Sequence, residues 1–341
     1  MDYAKVWFVF WAVLWTAYFA LDGFDLGVGF SGWLAASGDE ERAAVFSSVG
    51  PFWDGNEVWL ITAGGATFAA FPAVYAALFS WLYPALFLLL FSLIFRGVAL
   101  EFRGKLPDGA WRSFWARTAA VSSFIATLLL GVAFGNLFRG LPIGAAGYEG
   151  TFFGLLNPYS LVTGLLFCAF FALHGLLWIA YKVPGEPAIR AAGLAKKAWL
   201  SLVVLFAVFA AYSVMTTSLS VNFIYRKYLL LLPLLAAAGL AVSRIRLAQG
   251  NAGCAFRASF ATIALFSLTG FAGLYPDLLA SRIDPAFALT VYNSASSAYT
   301  LRLMTVVVVM FLPVVIAYQV WVHMLFREPL TAAELKKSGM Y

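Results

Sequence analysis

The chain has 341 residues, of which 63% are hydrophobic and only 11% are charged, and its formal net charge is +6. A soluble domain of this length carries roughly a quarter charged residues, and a disordered chain lacks this apolar content, so both classes are excluded. The long apolar runs also exclude a transmembrane barrel, whose strands alternate in polarity, and indicate an all-α, polytopic membrane protein.

The apolar runs predict nine transmembrane helices within one integral membrane domain, residues 1–341. The longest run contains 38 uncharged residues between Glu57 and Arg96. At about 1.5 Å per residue it is nearly twice as long as the roughly 30 Å hydrocarbon core, so it is divided into two spans. In chain order the predicted spans are 6–30, 58–75, 77–96, 114–138, 158–181, 198–219, 228–243, 258–276 and 302–326.

The distribution of basic residues predicts the orientation. With nine spans, the loops on the N-terminal side contain 6 Lys and Arg residues and the opposite loops contain 16, which together are all 22 in the chain. Cytoplasmic loops carry the excess of positive charge, so the N-terminus is predicted outside and the C-terminal tail in the cytoplasm. The net positive charge is thereby assigned to these loops, and no nucleic-acid partner is expected.

The first predicted span contains two aspartates, Asp22 and Asp25, in the string LDGFDLGVG near its cytoplasmic end. An acidic residue inside a span is costly and is by default a functional hypothesis. The alternative is that both carboxylates lie at the membrane interface, where the cost is small. Gly23 and Gly27 form a G-x-x-x-G face, which allows a second helix to approach closely.

The second predicted span begins with another acidic pair, Asp54 and Glu57, in the string WDGNE. One interpretation is a capping box, in which Asp54 caps the helix and Glu57 reaches back to its first residue. The other is a protonatable entrance on the cytoplasmic side. The two interpretations are compatible with each other.

The third predicted span ends in the string FRGVALEFR, which contains Arg96, Glu101 and Arg103. These charges either set the topology or pair with the carboxylates of the first two spans, which are predicted at the same membrane face.

The two histidines, His174 and His323, are interpreted as interior residues of the fifth and ninth spans. A haem held between them would need matched depth on facing helices, and their predicted depths differ by about one helical turn. Cys168 and Cys254 fit neither a disulfide framework nor a paired metal motif and are interpreted as free thiols. The sequence has no C-x-x-C-H, H-E-x-x-H, P-loop or G-x-S-x-G motif, so it lacks the parts of a self-sufficient enzyme.

Six strings resemble a known family along essentially the whole chain: LDGFDLGVG, PFWDGNEVWLITAGGATFAAFP, FRGVALEFR, GVAFGNLFRG, LLNPYS and YNSASSAYTLRLM. In this order they resemble subunit II of cytochrome bd quinol oxidases, and WDGNEVWL is the most specific block. Relatives often carry His-Trp-Asp-Gly-Asn-Gln where this chain has FWDGNE at 52–57, so the additional acid makes a role for Glu57 less secure. The short region between the sixth and seventh spans resembles the cyanide-insensitive-like branch.

The resemblance implies two four-helix bundles plus a peripheral helix in the bacterial cytoplasmic (inner) membrane. It implies a similar partner, subunit I, that holds two b-type haems, one d-type haem and the quinol site, while this chain binds no haem. The complex would oxidise quinol and reduce dioxygen to water in an electrogenic reaction. Membrane lipid and quinone are further expected partners. A small single-helix third subunit and the choice between ubiquinol and menaquinol stay open.

The resemblance also implies that this subunit contributes to proton uptake from the cytoplasm. Asp54 is expected at the entrance, with Asp25 behind it and Glu57 beside it. Two other functions stay open: a proton-coupled transporter, in which acids near helix breaks would be ordinary, and a structural partner without chemistry. The acids crowd one membrane face instead of the midplane, which argues against a transporter.

Overall fold

The computed structural model describes residues 2–331, and helices make up most of this part of the chain. The α-helices are α1 Tyr3–Ala35, α2 Asp39–Ser47, α3 Trp53–Ala70, α4 Pro72–Trp81, α5 Tyr83–Phe102, α6 Gly109–Arg139, α7 Pro158–Lys182, α8 Glu186–Thr216, α9 Leu219–Tyr225, α10 Leu231–Ala248, α11 Ala252–Leu274 and α12 Ala298–Leu325. Short 3₁₀ turns stand at Phe153–Leu155, Lys227–Leu230 and Pro285–Phe287.

Among the described residues, 8 helical segments are long and apolar enough to cross a membrane. They are α1, α5, α6, α7, α8, α10 with the 3₁₀ turn before it, α11 and α12. Each corresponds to one predicted span, which confirms the all-α, multi-pass class. The number nine and the arrangement in two bundles stay predictions.

The predicted second span, 58–75, has the wrong boundaries. Helix α3 already begins at Trp53 and ends at Ala70, and α4 forms a separate helix from Pro72 to Trp81. Proline has no N–H group with which to continue the hydrogen bonds of α3, and its fixed φ suits the first turn of a new helix. The long apolar run is therefore divided at Pro72 and again before Tyr83, where α5 begins.

Helix α3 lies antiparallel along α1. Near the start of α1, the indole of Trp11 donates a hydrogen bond of 2.8 Å to the hydroxyl of Thr67, late in α3. Near the other end, the amide of Asn56, early in α3, donates to Asp25 of α1 at 2.7 Å. The pairing places the acidic string of α1 beside the first turn of α3.

Helix α12 lies at the periphery and is held at its two ends. At its N-terminal end, the Trp7 indole donates to the backbone oxygen of Leu301 at 3.0 Å. At its C-terminal end, the ammonium of Lys182 donates to the backbone oxygens of Phe326 and Glu328. Because Leu301 is its one buried residue in the described structure, polar contacts, more than apolar burial, position this helix.

Helix α7 packs at the centre and approaches its neighbours through glycines. A Cβ atom at Gly27 of α1 would lie 1.9 Å from the backbone oxygen of Phe171, and one at Gly175 would lie 2.3 Å from the carbonyl carbon of Gly27. A Cβ at Gly131 of α6 would lie 2.6 Å from the Cα of Gly164. The close approach predicted from G-x-x-x-G is therefore confirmed.

Two short hairpins close the end of the molecule opposite the acidic strings. Strands β1 Ile143–Gly144 and β2 Gly147–Tyr148 pair antiparallel, as do β3 Asp277–Leu279 and β4 Leu289–Thr290. The backbone of Leu141 joins the two loops, because its N–H donates to the oxygen of Ala280 and its oxygen accepts from the N–H of Arg282. The sequence did not predict these strands or the short helix α2. The C-terminal tail that was predicted in the cytoplasm includes 332–341, which lie outside the described residues.

Candidate functional site

Asp22 lies on α1, is completely buried within the protein, and forms an ion pair with Arg96 of α5. The guanidinium nitrogen Nη2 lies 2.9 Å from the carboxylate Oδ1, and both side chains are at most 1% exposed. The alternative of a solvated carboxylate at the interface is therefore wrong for Asp22. The predicted pairing of Arg96 with a carboxylate of the first span is confirmed.

Asp25 lies one turn further along α1 and is also buried, so the interfacial alternative is wrong for it too. Its Oδ2 accepts the hydrogen bond from Asn56, and its Oδ1 has no hydrogen-bond partner among the described residues. The carbonyl oxygen of Asn56 accepts in turn from the amide of Gln319 in α12, at 2.7 Å. Asp25 is thus oriented by a chain of two amides, one from α3 and one from α12.

Glu57 lies on the same side of α3 as the buried aspartates and is the third carboxylate of the cluster. Its Oε2 is 3.5 Å from Nη1 of Arg96, and its side chain is 21% exposed. Asp22 and Glu57 therefore contact the same guanidinium, and Asp25 is near enough to interact with it electrostatically. For this cluster to be neutral, two of the three carboxyl groups have to carry a proton, and an uncompensated buried charge costs several kcal/mol.

Asp54 lies apart from this cluster, in the first turn of α3, and is exposed. Its Oδ1 accepts from the backbone N–H of Gly55 at 2.7 Å. The capping residue of α3 is Phe52, which makes no side-chain capping bond, and Glu57 pairs with Arg96. The capping-box interpretation is therefore wrong for both acids, because the helix begins two residues earlier than that motif requires.

Glu101 and Arg103 do not join the carboxylates of the first two spans. Arg103 donates to the carboxylate and the backbone oxygen of Asp39 in α2, and Glu101 is exposed. Pairing with the first two spans is thus confirmed for Arg96 and wrong for Arg103. The short helix α2, which the hydropathy pattern does not show, supplies the acid instead.

The two histidines make interior contacts. His174 is fully buried, its Nε2 lies 3.2 Å from the backbone oxygen of Ala20, and its ring stacks on Phe256 at 4.4 Å. The half-buried His323 bonds to the backbone oxygen of Gln319, and its ring lies 4.8 Å from that of Phe52. The second ring nitrogen of each histidine has no hydrogen-bond partner among the described residues. The expectation that this chain binds no haem stays a prediction.

Sequence reasoning missed Asn56 and Gln319, the two amides that orient Asp25. Asn56 lies in the WDGNE string between Asp54 and Glu57, whose charges give a stronger sequence signal than a neutral amide. Gln319 is the single amide in the apolar run of α12, and an isolated amide in such a run is expensive unless it is hydrogen-bonded. This cost of an isolated amide is the sequence signal that could have identified Gln319.

The sequence matches the family described as "Cytochrome bd terminal oxidase subunit II" over residues 3–326. It is 32% identical to "Cytochrome bd-I ubiquinol oxidase subunit 2" of Escherichia coli (strain K12), over 99% of this chain and 98% of that protein. It is 34% identical to "Cytochrome bd ubiquinol oxidase subunit 2" of Bacillus subtilis (strain 168), over 96% of this chain and 97% of that protein.

Among solved structures, the fold is similar to a chain of "The structure of bd oxidase from Geobacillus thermodenitrificans". The TM-score is 0.79, with 16% sequence identity, over 96% of this chain and 99% of that chain. At this identity the likeness concerns the fold alone.

Proposed function

We propose that this chain, which belongs to the cytochrome bd terminal oxidase subunit II family, takes up protons from the cytoplasm for the reduction of dioxygen. Members of this family are multi-pass membrane subunits of a bacterial respiratory oxidase. The relatives are named for ubiquinol, so the complex oxidises a quinol of this class. The partner is subunit I, and we propose, as the family resemblance implies, that it holds the haems and the quinol site.

The observation that carries the proposal is the buried group of carboxyl groups around Arg96. Asp22 and Asp25 are buried in the C-terminal half of α1, within a helix long enough to span a membrane. Ionisable groups buried inside such a helix are costly and are retained where they hold or move protons. With more carboxyl groups than cations, the cluster has room for protons that it can release and take up.

The proposed order begins at Asp54, which is exposed at the start of α3, and ends at Asp25. Asp54 takes a proton from water, and the proton moves inward along α3 past Glu57. Asp25 receives it on Oδ1, the oxygen without a hydrogen-bond partner among the described residues. Asn56 donates to the other oxygen, so it keeps Oδ1 facing the same direction in each cycle.

The experiment compares proton-carrying and proton-free side chains at the same positions. In the purified two-subunit complex, D54N and D25N should each lower quinol-driven oxygen uptake per haem, while D54E should be milder. A tenfold lower rate would correspond to about 1.4 kcal/mol in the limiting barrier. Haem content and assembly should stay normal, because Asn has nearly the shape of Asp.

The matched control is D108N, because Asp108 is also exposed and is predicted on the same membrane face. It caps α6 by accepting from Ala110 and Trp111, and Asn caps a helix about as well as Asp. Oxygen uptake in D108N should equal that of the wild type. Full activity in both D54N and D25N would remove this subunit from proton uptake and leave it a structural partner.

A further inference from the structure

A second charged site lies away from the acidic cluster, where α1, α2 and α6 meet. Trp33, near the end of α1, has the guanidinium of Arg42 at 3.8 Å from its ring centroid. The guanidinium of Arg117, from α6, lies 5.9 Å from the same ring. Both distances are within the range of a cation–π contact, so one indole ring is shared by two cations.

Neither of these cations has an acidic partner in the part of the chain that the structure describes. Among the described residues, no carboxylate forms an ion pair with Arg42 or Arg117. The Nε–H of Arg42 is buried and has no hydrogen-bond partner in this part of the chain. A buried N–H without an acceptor costs about 1–3 kcal/mol, so the site lacks an acceptor that would complete it.

Two of the three acids of α2 are engaged by other cations. The carboxylate of Asp39 binds both Arg103 and Arg112, and Glu41 binds Arg190. The third acid, Glu40, is exposed and forms no ion pair among the described residues. Arg42 therefore has no ion pair with any acid of its own helix in this part of the chain.

The surface next to Arg117 is apolar. Val121 and Phe124, one and two turns further along α6, are 58% and 41% exposed. Leu34, beside Trp33, is 67% exposed. A ligand held at the two guanidinium groups therefore has an apolar surface to follow towards the interior of the membrane.

We propose that Arg42, Arg117 and Trp33 bind the phosphate group of an anionic phospholipid, such as phosphatidylglycerol, whose acyl chains lie along Val121 and Phe124. Guanidinium groups bind phosphate oxygens in a bidentate manner, and a phosphate supplies acceptors and negative charge to two guanidinium groups that have no carboxylate partner among the described residues. The indole ring lies at the level of the headgroup, as tryptophans at membrane interfaces do. Free phosphate would satisfy the same cations but would leave the apolar surface unused.

The test uses the purified two-subunit complex, stripped of lipid in detergent and titrated with dioleoyl phosphatidylglycerol or dioleoyl phosphatidylcholine. Bound lipid is counted by native mass spectrometry. We expect one phosphatidylglycerol to bind more tightly than phosphatidylcholine, and R42A/R117A to weaken that binding roughly thirtyfold. The variant R246A/R257A removes the same number of charges from exposed positions that are also predicted on the cytoplasmic face, and it should bind as the wild type does.

Two further measurements complete the test: lipid binding by R117A alone, and competition with inorganic phosphate. Arg117 is exposed, so R117A alone should assemble even if the double variant does not, and it should weaken phosphatidylglycerol binding several-fold. Competition with millimolar inorganic phosphate distinguishes the source, because the lipid should stay bound if its acyl chains contribute. Equal binding of both lipids, unchanged binding in R117A, or complete displacement by phosphate would overturn the proposal.

Discussion

At the level of single residues, the guanidinium of Arg96 on α5 forms ion pairs with carboxylates of two other helices, α1 and α3. Arg96 is 1% exposed and is shared between Asp22 and Glu57. Breaking a buried ion pair from one side costs more than the pair itself contributes, because the remaining charge is left without a partner. A substitution of one partner should therefore cost more than a substitution of both partners.

The first prediction follows from this asymmetry. R96M should destabilise the complex by about 3–5 kcal/mol, since Asp22 loses its one cation. D22N/R96M should recover part of that loss, because neither remaining side chain is charged. The measurement is the thermal midpoint and the yield of assembled complex by size-exclusion chromatography. An R96M complex as stable as the wild type would show that Asp22 has no need of its cation.

A second prediction concerns the amide chain that orients Asp25. Q319L removes the hydrogen bond to the Asn56 oxygen, which leaves a buried acceptor unsatisfied at a cost of about 1–3 kcal/mol. Asn56 is then free to rotate, so oxygen uptake per haem should fall, by less than in D25N. Y318L, at an exposed neighbour on the same helix, is the control. Normal uptake in Q319L would mean that Asn56 orients Asp25 unaided.

At the level of helices, close contact through glycine decides how α1 meets α7. The backbone atoms of Gly27 and Gly175 approach so closely that neither position has room for a methyl group. Within a membrane, such contact is a main source of helix–helix attraction, because lipid chains are as apolar as leucine side chains. The orientation of the aspartates on α1 depends on this contact.

The third prediction compares Gly27 in α1 with Gly193 in α8, two glycines in helices that are long and apolar enough to cross a membrane. G27A should force α1 and α7 apart and lower the yield and thermal midpoint of the complex. G193A, in α8, has open space around the position of its Cβ and should be neutral or slightly stabilising, by up to about 1 kcal/mol, because Ala favours the helix. If both variants behaved alike, close approach at Gly27 would not matter for assembly.

Hydropathy predicted long helices well and predicted short ones poorly. Eight predicted spans each overlap a helix that is long and apolar enough to cross a membrane, because runs of about 20 apolar residues have few other solutions. The division at Pro72 was placed a few residues too late, and α2 was missed because its charged residues give no apolar signal. The ion pair of Arg96 with Asp22 was predictable from buried charge. The amide chain from Asn56 to Gln319 was not, because it depends on which helices meet.

At the level of the whole molecule, the ion pairs bear on the number of spans. Arg96 pairs with Asp22, and further along both chain segments Arg103 pairs with Asp39. Helices α1 and α5 therefore run in the same direction, and the chain between them has to return to the opposite end of the molecule. Helix α3, which lies antiparallel along α1, is the segment that does so.

The last prediction tests this ninth crossing and the orientation together. In a background with C168A and C254A, single cysteines are introduced at exposed positions by S37C, L106C and A286C, and spheroplasts are treated with a membrane-impermeant maleimide. With nine spans and the N-terminus outside, A286C should be labelled and the other two protected until the membrane is permeabilised. If α3 did not cross, S37C and L106C would lie on opposite sides and only one of them would be protected. Labelling of S37C and L106C with protection of A286C would instead mean that the orientation is reversed, so the three variants separate an error in the number of spans from an error in orientation.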